Sequence, residues 1–158
     1  MNATLHTTKG DITIELFEAD APNTVANFRK LVKEKFYDGT KFHRVIRDFM
    51  IQGGDPLTKD DTLMARWGTG DPGYKFADEI RENNHNVIGT ISMANSGPNT
   101  NGSQFFINTA DNNFLDSKHT TFGRVTAGMD FVKAIESTPV GESDRPVEPV
   151  VIERVSVA

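Results

Sequence analysis

Phe42-His43-Arg44-Val45-Ile46, running on to Phe49-Met50-Ile51-Gln52-Gly53-Gly54-Asp55, and Ser92-Met93-Ala94-Asn95, leading to Gly102-Ser103-Gln104-Phe105-Phe106-Ile107, are strand-like segments that sort by parity. Successive side chains of a strand point to opposite faces. Val45, Ile51, Phe105 and Ile107 fall on one face, and Arg44, Met50, Gln52, Gln104 and Phe106 on the other. The first set suits a sheet or barrel interior. The second mixes a cation, two carboxamides, a thioether and a phenyl ring. A solvated face has no need of Met and Phe, and a core does not tolerate Arg with two Gln. The mixture suits a shallow groove that holds an apolar ring and grips a peptide backbone.

Outward from these segments, Ile12, Ile14 and Leu16 alternate with Asp11, Thr13 and Glu15 after a turn at Lys9-Gly10-Asp11, which predicts an N-terminal hairpin. Pro22 suits the first turn of a helix carrying Val25, Phe28, Leu31 and Val32, closed at Asp38-Gly39. A second helix is expected through Met129, Val132 and Ile135, and a last strand over 150–157. Residues 56–86 are rich in Gly, Pro, Asp and Asn and show no period, as a functional surface loop does. Many short strands with two helices argue for a mainly β fold, with a helix-capped barrel and a sandwich both open.

The 158 residues fit one domain, and a net charge of −5 disfavours broad binding to nucleic acid. There is no cysteine, which fits a reducing, cytoplasmic setting and rules out thiolate chemistry. Met1–His6 has no basic and apolar leader pattern, and no apolar run reaches the ~20 residues of a membrane span. No histidine pair has metal-ligand spacing. Gly68-Thr69-Gly70-Asp71-Pro72-Gly73 satisfies the dinucleotide-binding glycine pattern, but it lacks the strand before it and the helix after it. No nucleophile elbow accompanies the serines.

Phe42 through Asp55, Ser92 through Ile107, and Phe114-Leu115-Asp116-Ser117-Lys118-His119-Thr120-Thr121-Phe122-Gly123 together resemble the cyclophilins, the cyclosporin-binding peptidyl-prolyl isomerases. Order and spacing fit from about Gly10 to the C-terminus. The segment Ala65–Gly70 with Gly73–Phe76 is similar to prokaryotic-type members. The resemblance implies a single domain over 1–158: a closed eight-stranded antiparallel β-barrel capped by two α-helices. It also implies isomerase activity on Xaa-Pro bonds of peptides and folding proteins, with no cofactor, no metal and a monomeric state. Arg44, Gln52 and Phe49 are the implied catalytic residues. Met50, Ala94, Asn95, Ser96, Gln104, Phe106, Phe114, Leu115 and His119 are the implied substrate contacts, with Gly68, Thr69 and Ser103 on the subsite rim. Many relatives carry Trp where this chain has Phe114, so cyclosporin binding is expected to be weakened.

The chemistry suits these residue types. Proline isomerisation needs neither nucleophile nor proton transfer, since its barrier of ~18–20 kcal/mol is lost amide resonance. In the twisted state the prolyl nitrogen becomes pyramidal and gains a usable lone pair. A guanidinium bond to that nitrogen exists only near the transition state and therefore lowers the barrier. Arg stays charged at working pH, and Gln52 is placed to hold its planar fork. A proline-peptide binding module with little isomerase activity is the alternative reading.

Overall fold

Alternating apolar residues build the first hairpin in the computed structural model, which describes residues 1–158. In β1 (Asn2–Thr7) Ala3 and Leu5 are buried, and in β2 (Gly10–Leu16) Ile12, Ile14 and Leu16 are buried. Gly10 already pairs with Thr7, so the turn is Thr8-Lys9, one residue earlier than the pattern suggested.

Helix α1 (Pro22–Lys33) starts at the proline and buries Val25, Phe28 and Leu31. It ends sooner than expected. Lys35 takes a left-handed φ of 59°, and the Lys35 and Phe36 N–H groups donate back to Val32 and Leu31. This crossed pair is the helix stop that glycine ordinarily provides. The α1 N-terminus has no side-chain cap of its own. The Glu79 carboxylate supplies one from the long irregular segment, accepting from Asn23 N, Thr24 N and Thr24 Oγ1 at 3.2, 2.6 and 2.7 Å. Those amides lack intrahelical partners, and the positive end of the helix favours an anion there.

The remaining strands are β3 (Thr40–Lys41), β4 (Arg44–Ile46), β5 (Met50–Gly53), β6 (Thr90–Met93), β7 (Phe105–Asn108), β8 (Thr121–Ala127) and β9 (Val151–Val157). Helix α2 (Met129–Glu136) buries Val132 and Ile135. All nine strands join one antiparallel sheet in the order β3-β9-β1-β2-β8-β6-β7-β5-β4. The sheet has nine strands in place of the expected eight, and its two ends are not paired with each other, so the expected closed barrel is not seen. Thr40-Lys41 pairs with β9, while Arg44–Ile46 pairs with β5. The two ends of the sheet are therefore neighbours in sequence.

Inside the sheet Phe105 meets Phe28, Tyr37 and Phe42 at ring separations of 6.2, 5.5 and 6.3 Å in edge-on geometry. Residues 56–86 contain only two short 3-10 helices, Pro56–Lys59 and Asp61–Arg66, and a single bridge from Phe76 to Asn101. No helix is long and apolar enough to cross a membrane.

Replacing Glu79 by Ala uncaps α1 and is expected to cost about 1–2 kcal/mol. Urea unfolding should show a lower midpoint at constant slope, and an unchanged midpoint would refute the capping role.

Candidate active site

Strand register assembles the site. Arg44 faces Gln52 across β4–β5, Gln52 faces Phe106 across β5–β7, and Phe106 faces Ser92 across β7–β6. This row lies on the outer face of the sheet. Val45, Ile51, Phe105 and Ile107 all join the core, as parity required. Met50 and Phe106 are 2% and 4% exposed yet stand outside that core. They belong instead to a cavity of about 280 Å³. Phe49, Met50, Phe106 and Leu115 form its apolar walls, and Arg44, Gln52, Ala94, Asn95 and His119 complete it.

Phe114 departs from the expectation. It is 68% exposed, does not line the cavity, and stacks on Phe49 at 6.1 Å from outside. A second, polar hollow of about 200 Å³ adjoins the first and shares Gln52, Ala94 and Asn95 with it. Ser96, Gln104, Gly68, Thr69 and Ser103 all line this hollow. Ser103, however, is buried, and its hydroxyl donates to Gly54 O at 2.8 Å, so it does not serve as a free rim donor.

A hydrogen-bond chain runs along the row. Arg44 Nη1 donates to Gln52 Oε1 at 3.3 Å, and Gln52 Nε2 donates to Gln104 Oε1 at 3.0 Å. Gln104 Nε2 donates to Gly68 O and Gly70 O at 3.0 and 2.9 Å. Asn95 turns its side chain away, donating to Lys118 O at 2.8 Å. Its backbone N–H and C=O make no hydrogen bond within the chain. His119 sits edge-on to Phe106 at 5.3 Å, and its Nδ1 lies 2.8 Å from Met93 O. A carbonyl only accepts, so Nδ1 carries the proton, and in the neutral ring Nε2 carries the lone pair.

The segment bearing Leu115 and His119 is tied down by polar side chains. Asn84 Nδ2 donates to Asp116 O and His119 O, and Asn112 Nδ2 donates to Phe49 O. Partial burial pushes the Asp116 carboxyl up. Hydrogen bonds from Asn113, Asn86 and His85 outweigh this and hold it below its ordinary value.

The sequence matches the family described as "Cyclophilin type peptidyl-prolyl cis-trans isomerase/CLD" over residues 2–157. The chain belongs to the cyclophilin family. It is 51% identical over 152 residues to peptidyl-prolyl cis-trans isomerase ppi1 of Schizosaccharomyces pombe, covering 96% of this chain and 95% of that protein. It is 48% identical over 157 residues to peptidyl-prolyl cis-trans isomerase-like 1 of Gibberella zeae, covering 99% and 94%. A Cryptosporidium parvum cyclophilin-type isomerase, solved in the presence of the dipeptide Ala-Pro, superposes with a TM-score of 0.91. That pair is 32% identical, with 100% of this chain and 99% of the other covered. These relatives are eukaryotic and give the prokaryotic-type expectation no support.

Sequence reasoning missed several groove residues of this cyclophilin. Lys75, Thr100 and Gly102 line the polar hollow, and Asp55 lies fully buried behind it. Asp55 stands inside the quoted stretch, and the Gly-Gly-Asp-Pro run was the available signal.

His43 is buried with neither ring nitrogen hydrogen-bonded. Burial lowers its pKa from 6.5, and the nearby Asp55 carboxylate opposes this only in part. The sign is set by the unfolded chain. As pH falls below 6.5 the unfolded state takes up a proton at His43 and the folded state does not, so stability drops. The slope contributed is at most about 1.4 kcal/mol per pH unit. Denaturation at pH 7.5 and 5.5 should show a smaller acid loss for His43→Gln than for the unmodified protein. Equal losses would assign the slope elsewhere.

Proposed function

We propose that this isomerase seats the substrate prolyl ring against Phe49, Met50, Phe106 and Leu115, with the chain extended along the Asn95 backbone. In this reading the Arg44 guanidinium donates to the prolyl nitrogen as the bond twists. One observation carries the reading: Arg44 and Phe106 flank Gln52 in a single cross-strand row, so the cation stands at the mouth of an apolar cavity. The planar amide offers that nitrogen no lone pair, so the bond strengthens only toward the transition state. The low polarity of the walls also favours the twisted amide, which needs less solvation than the planar one. Preorganisation by Gln52 removes part of the entropy cost of aiming a flexible side chain.

The substrates on this reading are proline-containing peptides and folding chains, which fits the Ala-Pro dipeptide present with the Cryptosporidium parvum relative. We also take β3 and β4 as two halves of one strand that closes an eight-stranded barrel. Their separation by only Phe42 and His43, and their pairing with opposite ends of the sheet, support this.

Arg44→Ala is expected to lower kcat/KM by about 10²-fold, the scale of one lost transition-state donor. Exchange spectroscopy on an Xaa-Pro peptide measures it, with circular dichroism confirming the fold. Full retained activity would leave only a docking surface. The rate should be flat from pH 7 to 9, because a guanidinium keeps its charge throughout.

Phe114 presents an exposed ring without a donor at the edge of the site. Phe114→Trp is expected to tighten cyclosporin by about fivefold, the worth of one net hydrogen bond. Proline turnover should stay within about twofold, since the residue lies outside the cavity. Inhibition titrations with cyclosporin that coincide for the two proteins would remove Phe114 as the cause of weak binding.

A further inference from the structure

Gly68 O and Gly70 O are carbonyls and can only accept hydrogen bonds. Both face Gln104 Nε2, at 3.0 and 2.9 Å, and together they engage both of its protons. Gln104 is left with no proton to give a substrate. Its amide orientation is set from the loop side, which turns Oε1 toward Gln52. That oxygen only accepts, so Gln52 must present Nε2 to it and Oε1 to Arg44. The chain of amides has one permitted sense. Its origin is Asp55, which is fully buried. Asp55 Oδ2 accepts from Gly68 N at 2.6 Å and Gly70 N at 3.1 Å, while Oδ1 accepts from Leu57 N at 2.8 Å. The loop comes so close to this carboxylate that a Cβ at Gly70 would lie 2.0 Å from Asp55 Oδ1.

We propose that Gln104 is a positioning residue, through which buried Asp55 and the Gly68–Gly70 segment orient Gln52 and hence Arg44. This rests on Arg44 being the transition-state donor. Asp55 lines neither hollow and acts only through the bonds named above. A rotated Gln104 amide would set like against like along the row. It would present Nε2 to the Gln52 donor, and Gln52 would then turn its own N–H groups toward the Arg44 cation. The aim of the guanidinium would be lost although Arg44 itself is untouched. The same chain assigns one free Gln52 N–H to the groove, so Gln52, not Gln104, is the carboxamide that meets the substrate.

The test measures kcat and KM separately on an Xaa-Pro peptide for Gln104→Met and Gly70→Ala, each with Arg44 and with Arg44→Ala. Gln104→Met is nearly isosteric but neither donates nor accepts strongly. Gly70→Ala pushes the loop from Asp55 without altering the row. For either variant kcat should fall about fivefold with KM within about twofold, and this loss should vanish in the Arg44→Ala background. The Gln52 side-chain amide resonances should also shift in Gly70→Ala. A raised KM at unchanged kcat would make Gln104 a direct substrate contact and overturn the proposal. An equal loss of kcat in both backgrounds would overturn it as well, by showing that the effect bypasses Arg44. Wild-type turnover by Arg44→Ala alone would instead bring down the donor reading. In that case an unmoved Gln52 amide in Gly70→Ala refutes the positional chain on its own.

Discussion

Three antiparallel strands hold one register, and that register is what makes a site of Arg44, Gln52 and Phe106. A slip of one residue in β5 would carry Gln52 and Met50 inward and Ile51 outward, because the side-chain period of a strand is two. Core and site therefore share one constraint. Phe105 packs among Phe28, Tyr37 and Phe42 beneath the sheet, while its neighbour Phe106 floors the cavity above it. Burial of the aromatic cluster locks the strand, and the locked strand aims the next residue into the cavity.

The second half of the site comes from chain with no regular structure. Backbone groups in such a segment need partners once they leave water. Here carboxylates supply many of them. Asp55 gathers Leu57, Gly68 and Gly70, Glu79 gathers the first turn of α1, and Asp116 takes the N–H of Asn86. Buried asparagines serve the same end on the opposite side, with Asn84 and Asn112 fastening the segment that brings Leu115 and His119 to the cavity. The irregular walls are thus held by side chain to backbone bonds in place of a ladder.

The division of the site into an apolar cavity and a polar hollow follows from this construction. The strand residues Met50 and Phe106 contribute part of the apolar surface, and Phe49 and Leu115 complete it from chain outside the sheet. Loop residues contribute carbonyls and amides, because their backbone is not used up in pairing. Gln52 lines both, and so joins the apolar cavity to the polar hollow.

Much of this was legible in the linear order of residues. Period-two alternation assigned every face of β4, β5 and β7, since the direction of a strand side chain depends only on its own backbone. Pro22 marked where the first helix begins, for the same local reason. What lay beyond reach were contacts between distant parts of the chain. The turn at Thr8-Lys9, the helix stop at Lys35, the pairing of Thr40-Lys41 with β9 and the outward stacking of Phe114 each depend on neighbours supplied by folding. The sequence alone settled which residues face outward along β2, β4, β5 and β7, because pleating is a property of the local backbone. Only the tertiary structure decided which of them meet, and which protons of Gln104 remain free, because hydrogen-bond partners are chosen by atoms brought together across the fold.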